Sequence, residues 1–192
     1  METKTDPRVA RTRKLIEDAF LEVMNEKGFE ELSVQDVADR AGINRVTFYS
    51  HFVDRYALLR HAIRKAFEAE VEGKGLADRS LSAESVRNLF VVVCGYIAEL
   101  HQHCRPPHEH LDWTLGEVIA DYSADLFLRW AAAPGKRAAG KAVPQSLAES
   151  AAAAGSSLYA LAARWSRSKK RGPAAAYVES TLQIVTGILG LD

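Results

Sequence analysis

Between Ser33 and Arg55 the chain reads SVQDVADRAGINRVTFYSHFVDR, a run whose polar side chains are spaced to touch a nucleic acid. Arg45, Val46, Thr47, Tyr49 and Ser50 fall on the outward side of one short helix. A guanidinium and a methyl-bearing side chain there suit base edges in a major groove. A second cluster, HQHCRPPHEHLDW, places His101, His103, Cys104, His108, His110 and Asp112 together, all of them zinc-ligand types. Its spacing is less favourable. His101 and Cys104 share a helical face, His103 points elsewhere while the helix lasts, and His108 and His110 need Pro107 to keep them in a loop. A metal site and a solvated or partly buried helix end both fit this segment. The helix end is preferred, and no metal or cofactor is expected. Where such histidines border a cavity they also touch a ligand or titrate near neutral pH.

The first cluster needs two helices joined by a tight turn, and the residue types supply one. Ala38 is small enough for two helices to cross closely, and Gly42 can take the left-handed conformation that turns one helix into the next. Phe48 faces inward and holds the second helix against the first. Ser33 is a good N-cap for a helix over Val34–Ala41, and Asn44 for a helix running to about Ser50. This is a helix-turn-helix. Its continuation, Tyr49-x-His51-Phe52-x-x-Arg55-x-x-Leu58, is more specific, and here the sequence resembles the TetR family of transcriptional regulators. The likeness runs from about Arg11 to Leu59 and includes Ile16-x-x-Ala19, Gly28-Phe29 and Ser33-Val34-x-x-Val37-Ala38. Ser33 stands where Thr is usual and Arg55 where Lys is usual; both keep the hydrogen-bonding or cationic role.

The resemblance implies an all-α protein: an N-terminal three-helix DNA-binding domain over 8–53, and a larger helical effector-binding and dimerisation domain over 54–192. It implies double-stranded operator DNA, a small-molecule effector and a second copy of the chain as partners. Arg45 and Val46 become the base readers, with Gln35 a third from the preceding helix. Ser33, Asn44, Thr47, Tyr49, His51 and Arg55 contact or orient toward phosphate. Tyr49 and His51 serve packing equally well, since they adjoin Phe48 and Phe52.

The bulk numbers agree with this class. The chain has 192 residues, 47% of them hydrophobic, enough for a substantial core. Two cysteines offer no disulfide framework and fit a reducing compartment. About ten residues of helix hold Cys94 and Cys104 roughly 15 Å apart, beyond disulfide reach. No charged start precedes an apolar leader, and the longest apolar run, Leu89–Cys94, is far short of the roughly 20 residues that span a bilayer. A cytoplasmic protein without membrane segments is expected. Its 25 basic and 25 acidic residues balance, so phosphate attraction must be local. The run PRVARTRK places Arg8, Arg11, Arg13 and Lys14 at the start of the first helix, where phosphate contact competes with simple solvation. With no Gly-rich phosphate loop, nucleophile elbow or HExxH, enzymatic activity is not expected.

Taken in order, Ile16, Ala19, Phe20 and Val23 stripe a first helix from about Val9 to Glu26, ended by Lys27-Gly28. Asp54 caps a connecting helix to about Glu72. Ala83–His103 is apolar on nearly every side and should be enclosed by others. A helix over about Glu109–Ala132 is interruptible near Gly116, and Ala133–Val143 reads as a loop. Leu147, Ala151, Ala154, Leu158, Leu161 and Trp165, then Val178, Leu182, Val185 and Leu189, form two seams. These either face the chain's own core or pair with a second copy in a four-helix bundle; the resemblance implies the latter. Tyr96, His101, Trp113, Tyr122, Phe127 and Trp165 either line an effector pocket or fill ordinary core. The resulting expectation is a ligand-released repressor. A metal-binding sensor or enzyme centred on His101–His110, and a DNA-binding scaffold without effector, are the alternatives.

Overall fold

A computed structural model describes residues 6–103, 109–132 and 145–191. The described residues form eight helices and no strand, so the chain is all-α. The helices are α1 (Pro7–Glu31), α2 (Val34–Ala41), α3 (Arg45–His51), α4 (Arg55–Gly73), α5 (Ala83–His103), α6 (Glu109–Ala131), α7 (Gln145–Arg167) and α8 (Ala174–Ile188). They group into two compact units. One holds Met1–Ile63 with His103–Thr114, the other Arg64–Gln102 with Leu115–Asp192, so α4 and α6 each belong to both. Cys104, His108, Pro107 and the loop over 133–143 lie outside the described residues.

In the first unit, α1 buries the expected stripe Ile16, Ala19, Phe20 and Val23. The backbone leaves helical geometry at Gly28 (φ 79°, ψ 168°), where the sequence predicts the end, and a further turn, Phe29–Glu31, follows. Val37, Ala38, Phe48, Leu58 and Leu59 are fully buried, as are Phe20 and Ile16, and complete the unit's core. The first turn of α6 joins it: His110 Nδ1 lies 2.8 Å from a Glu30 carboxylate oxygen, and its ring packs 5.6 Å from that of Tyr56.

In the second unit, α5 buries Val86, Leu89, Phe90, Val93, Cys94 and Ile97. It is not enclosed all round, because Glu84, Asn88, Gly95, Glu99 and Gln102 form an exposed stripe. The hydropathy of LFVVVCGYIAEL hides that stripe, since only Gly95 and Glu99 within it mark the solvent side. Burial pushes the Cys94 thiol up to about 12, which keeps it protonated and unreactive. Nor does α6 break at Gly116. A β-carbon there would stand 2.8 Å from the Tyr159 ring, so the glycine makes room for α7 rather than a bend. A β-carbon at Gly155 of α7 would come closer still, against the backbone oxygen of Ala120 in α6.

The two predicted seams are spent inside the chain. Ala151, Ala154 and Leu158 of α7, and Val178, Leu182, Val185 and Leu189 of α8, are buried in this single copy. Leu147, Leu161 and Trp165 are half-buried.

Candidate nucleic-acid interface

The site is built on two caps and a turn. The Ser33 hydroxyl accepts from Asp36 N while Asp36 accepts from Ser33 N, a reciprocal capping box that starts α2. Lys27 bridges Asp36 at 2.8 Å, and that contact, followed by the Ser33 bonds, lowers the Asp36 carboxyl to about 2. Arg40 ties the other end of α2 to α1 through Glu22 (3.0 Å) and Glu26 (2.7 Å). At Gly42 the chain turns with φ 66°, and Ile43 N donates to Ala38 O across the turn at 3.0 Å. Glycine takes that conformation without the steric cost that a β-carbon usually brings. Asn44 then caps α3, its side-chain oxygen accepting from Thr47 N (2.7 Å) and from the Thr47 hydroxyl (3.0 Å).

The outcome is a seven-residue helix anchored by one residue, Phe48, with its other side open. Arg45 is exposed, Val46 is 79% exposed and Tyr49 47%. Arg45 Nη2 reaches the Tyr49 hydroxyl at 3.4 Å, so the two side chains stand together on this face. Tyr49 also packs edge-on against Phe48, with centroids 5.6 Å apart, which gives its ring a packing role beside its exposed hydroxyl. His51 is half-buried. Gln35 is exposed on α2 with its amide on Asp39 at 2.7 Å. Val53, 76% exposed just beyond α3, adds an apolar side chain that motif reasoning passed over.

Arg55, expected toward phosphate, is turned inward. Its Nη1 donates to the carbonyls of Phe29, Glu30 and Leu32, and its guanidinium lies 4.9 Å over the Phe29 ring and 5.1 Å over that of Tyr56. It closes the end of α1, where carbonyls lack intrahelical partners and a cation is favoured by the helix dipole. The amino-terminal cations divide in the same way. Lys14 pairs with Asp18 at 2.8 Å, and Arg13 packs over Phe52 at 4.7 Å with Glu17 at 3.5 Å, whereas Arg8 and Arg11 are exposed.

The six residues expected around an effector are not brought together. Tyr96 and Tyr122 share one neighbour, Phe67, at 5.2 and 5.3 Å, and Phe127 stacks on Trp130 at 5.8 Å. His101 reaches Ser166, and the Trp165 indole donates to Gly172 O at the turn between α7 and α8. Trp113 is 79% exposed and belongs to the first unit. Tyr122 and Phe127 are buried core, as helical aromatic residues usually are.

A short, externally capped helix held by one phenylalanine across a left-handed turn defines a helix-turn-helix DNA-binding protein. Residues 16–62 match the family model described as bacterial regulatory proteins, tetR family. The uncharacterized HTH-type transcriptional regulator YxbF of Bacillus subtilis is 35% identical over 66 residues, which are 34% of this chain and 17% of that protein. Among solved structures, FadR of Thermus thermophilus, a TetR family repressor in complex with lauroyl-CoA, is 18% identical with a TM-score of 0.52, covering 90% of this chain and 92% of that one. A tetR-family regulator from Streptomyces coelicolor is 16% identical with a TM-score of 0.52, covering 95% and 80%. Residues 16–62 thus carry the DNA-binding motif of the tetR family, and the helices of the chain follow the fold of these two solved structures.

Proposed function

We propose that the chain is a homodimeric repressor that releases its operator when a small molecule binds in the second unit. The observation that carries the DNA-binding half is the open face of α3, where Arg45 and Val46 project from a helix whose first turn is capped by Asn44. Arg45 and Val46 read bases, with Gln35 at the margin. Thr47, Tyr49 and His51 face phosphate, and Ser33 and Asn44 act by holding helix N-termini toward it. Release is supported by α4 and α6, each continuous through residues of both units. A ligand that prefers one arrangement of those helices shifts the population of the DNA-binding form by that preference and no more. Two recognition helices must stand about 34–36 Å apart to enter successive major grooves.

Selection from a random duplex library tests the reading, and a near-palindromic consensus is expected. Arg45→Ala should then weaken that site by roughly 1–3 kcal/mol and relax one base position in each half. A protein that enriches no sequence, or a variant that loses affinity equally for all sequences, defeats the assignment.

A further inference from the structure

The segment joining α7 to α8 holds a charge arrangement that regulation through the head does not use. Arg164, Arg167, Lys169, Lys170 and Arg171 fall within eight residues, and no Asp or Glu occurs between Glu149 and Glu179. The helix dipole accounts for part of this, since Arg164 and Arg167 occupy the last turn of α7, where cations are favoured. It does not account for Lys170 and Arg171. These precede the N-terminus of α8, where the dipole opposes cations and no side chain caps the first turn. Five cations so close repel one another, and a bound anion would relieve that repulsion.

The same residues enclose a groove of about 380 Å³, lined by Arg164, Lys170 and Arg171 with Trp165, Pro173 and Tyr177. Its walls are held by contacts within the chain. The Trp165 indole is fixed by its 3.1 Å bond to Gly172 O, and Arg171 lies 5.2 Å over the Trp165 ring while donating to Ser166 O at 2.8 Å. Tyr177 is held edge-on to Phe90 at 6.4 Å. Among the described residues no carboxylate lines the groove. An apolar floor with convergent cations and a volume in the small-molecule range fits a ligand that is apolar at one end and acidic at the other.

We propose that this groove is a binding site for a small organic anion, an aromatic or similarly flat body carrying a phosphate or carboxylate head. The head meets Arg164 and Lys170, and the body lies against Trp165, Pro173 and Tyr177. The site is separate from the DNA-reading face and does not rest on the operator reading.

Calorimetric titration of the full chain with 1-naphthyl phosphate tests it, with 1-naphthol and inorganic phosphate as the two halves of the probe. One saturable site per chain is expected, weakened by added salt and by at least about tenfold in Arg164→Gln/Lys170→Gln, since two charge-assisted contacts are lost. Both substituted side chains are exposed, and circular dichroism establishes that the variant folds. Absence of saturable binding at millimolar probe overturns the proposal, as does equal affinity for 1-naphthol or unchanged affinity in the folded variant. If the double variant instead loses affinity for non-operator DNA while the probe binds neither protein, the basic run serves nucleic acid and the small-anion site is refuted.

Discussion

Replacing Arg55 by alanine separates two jobs that a cation at this place can do. In the structure its guanidinium serves three carbonyls at the end of α1 and covers the faces of Phe29 and Tyr56. A hydrogen bond to a charged group contributes about 1.5–3 kcal/mol, and three that share one nitrogen do not add. Taking them as one strong contact, with about 0.5–1 kcal/mol for the ring faces, gives a loss of roughly 2–4 kcal/mol. That is less than the roughly 5–15 kcal/mol by which domains are stable, so the variant folds at room temperature. For a chain of 192 residues the melting temperature should fall by roughly 5–15 °C. Arg55→Lys should lose less, because an ammonium still donates to the carbonyls, although it cannot stack as a guanidinium does. Urea and thermal unfolding measure the first effect, and operator affinity against salt measures the second. A phosphate contact contributes about 0.9 to the slope of log affinity on log salt. The helix-end role predicts an unchanged slope below the melting point. Wild-type stability together with a slope reduced by about one would refute it.

Two glycine substitutions should move stability in opposite directions. Gly155→Ala drives a methyl into the α6 backbone at Ala120, so overpacking of about 1–3 kcal/mol should exceed the roughly 1 kcal/mol gained in helix propensity, whereas Gly95→Ala meets open space on α5 and should stabilise by about 0.5–1 kcal/mol; urea unfolding measures both. Asp36 ionises near 2 when folded, against an ordinary value of 3.8, so its contribution is fully present above about pH 4 and is lost as pH falls toward 2. Asp36→Asn should therefore flatten the acid limb of the stability profile, and an unaltered limb would show that Lys27 and Ser33 do not act through this carboxylate. Ile184→Glu, at a 48% exposed position of α8, should shift sedimentation from dimer to monomer without lowering the melting temperature of the single copy.

The head was legible because its signals are local. Ser33 and Asn44 bond to residues three positions away, and the Gly42 turn closes between Ala38 and Ile43, so residue type at fixed spacing was sufficient. Arg55 was not legible in this way. Its partners lie 23 to 26 positions back, and a cation after a helix-turn-helix suits phosphate and helix end equally. One clue was available: a helix stopped at Gly28 leaves carbonyls in need of donors, and Arg55 is a cation of the same small domain. Where the aromatic candidates lie was hidden for a related reason. Helical spacing places Tyr122 and Trp113 on faces of α6, yet one is sealed beneath Phe67 and the other is open to solvent.

The seams of α7 and α8 carry the same ambiguity into the dimer. Periodicity told which side of each helix is apolar but not what covers it, and the covering here is the chain itself. A homodimer using these helices must therefore be built from their outward faces. On α8 these present Ala176, Ser180, Ile184 and Gly187, and on α7 Ala153, Ser156 and Ala160, in steps of three and four. Small side chains let helices approach within the usual 8–10 Å or so, and Ile184 is the large apolar side chain among them. A stable interface takes about 800 Å² from each partner, more than one helix face of small residues supplies. Both helices must then contribute together, which ties dimerisation to the α7–α8 pairing that the buried seams hold in place. A substitution that loosens that pairing should weaken operator binding without touching the DNA-reading face, because two half-sites are bound only while two heads are joined.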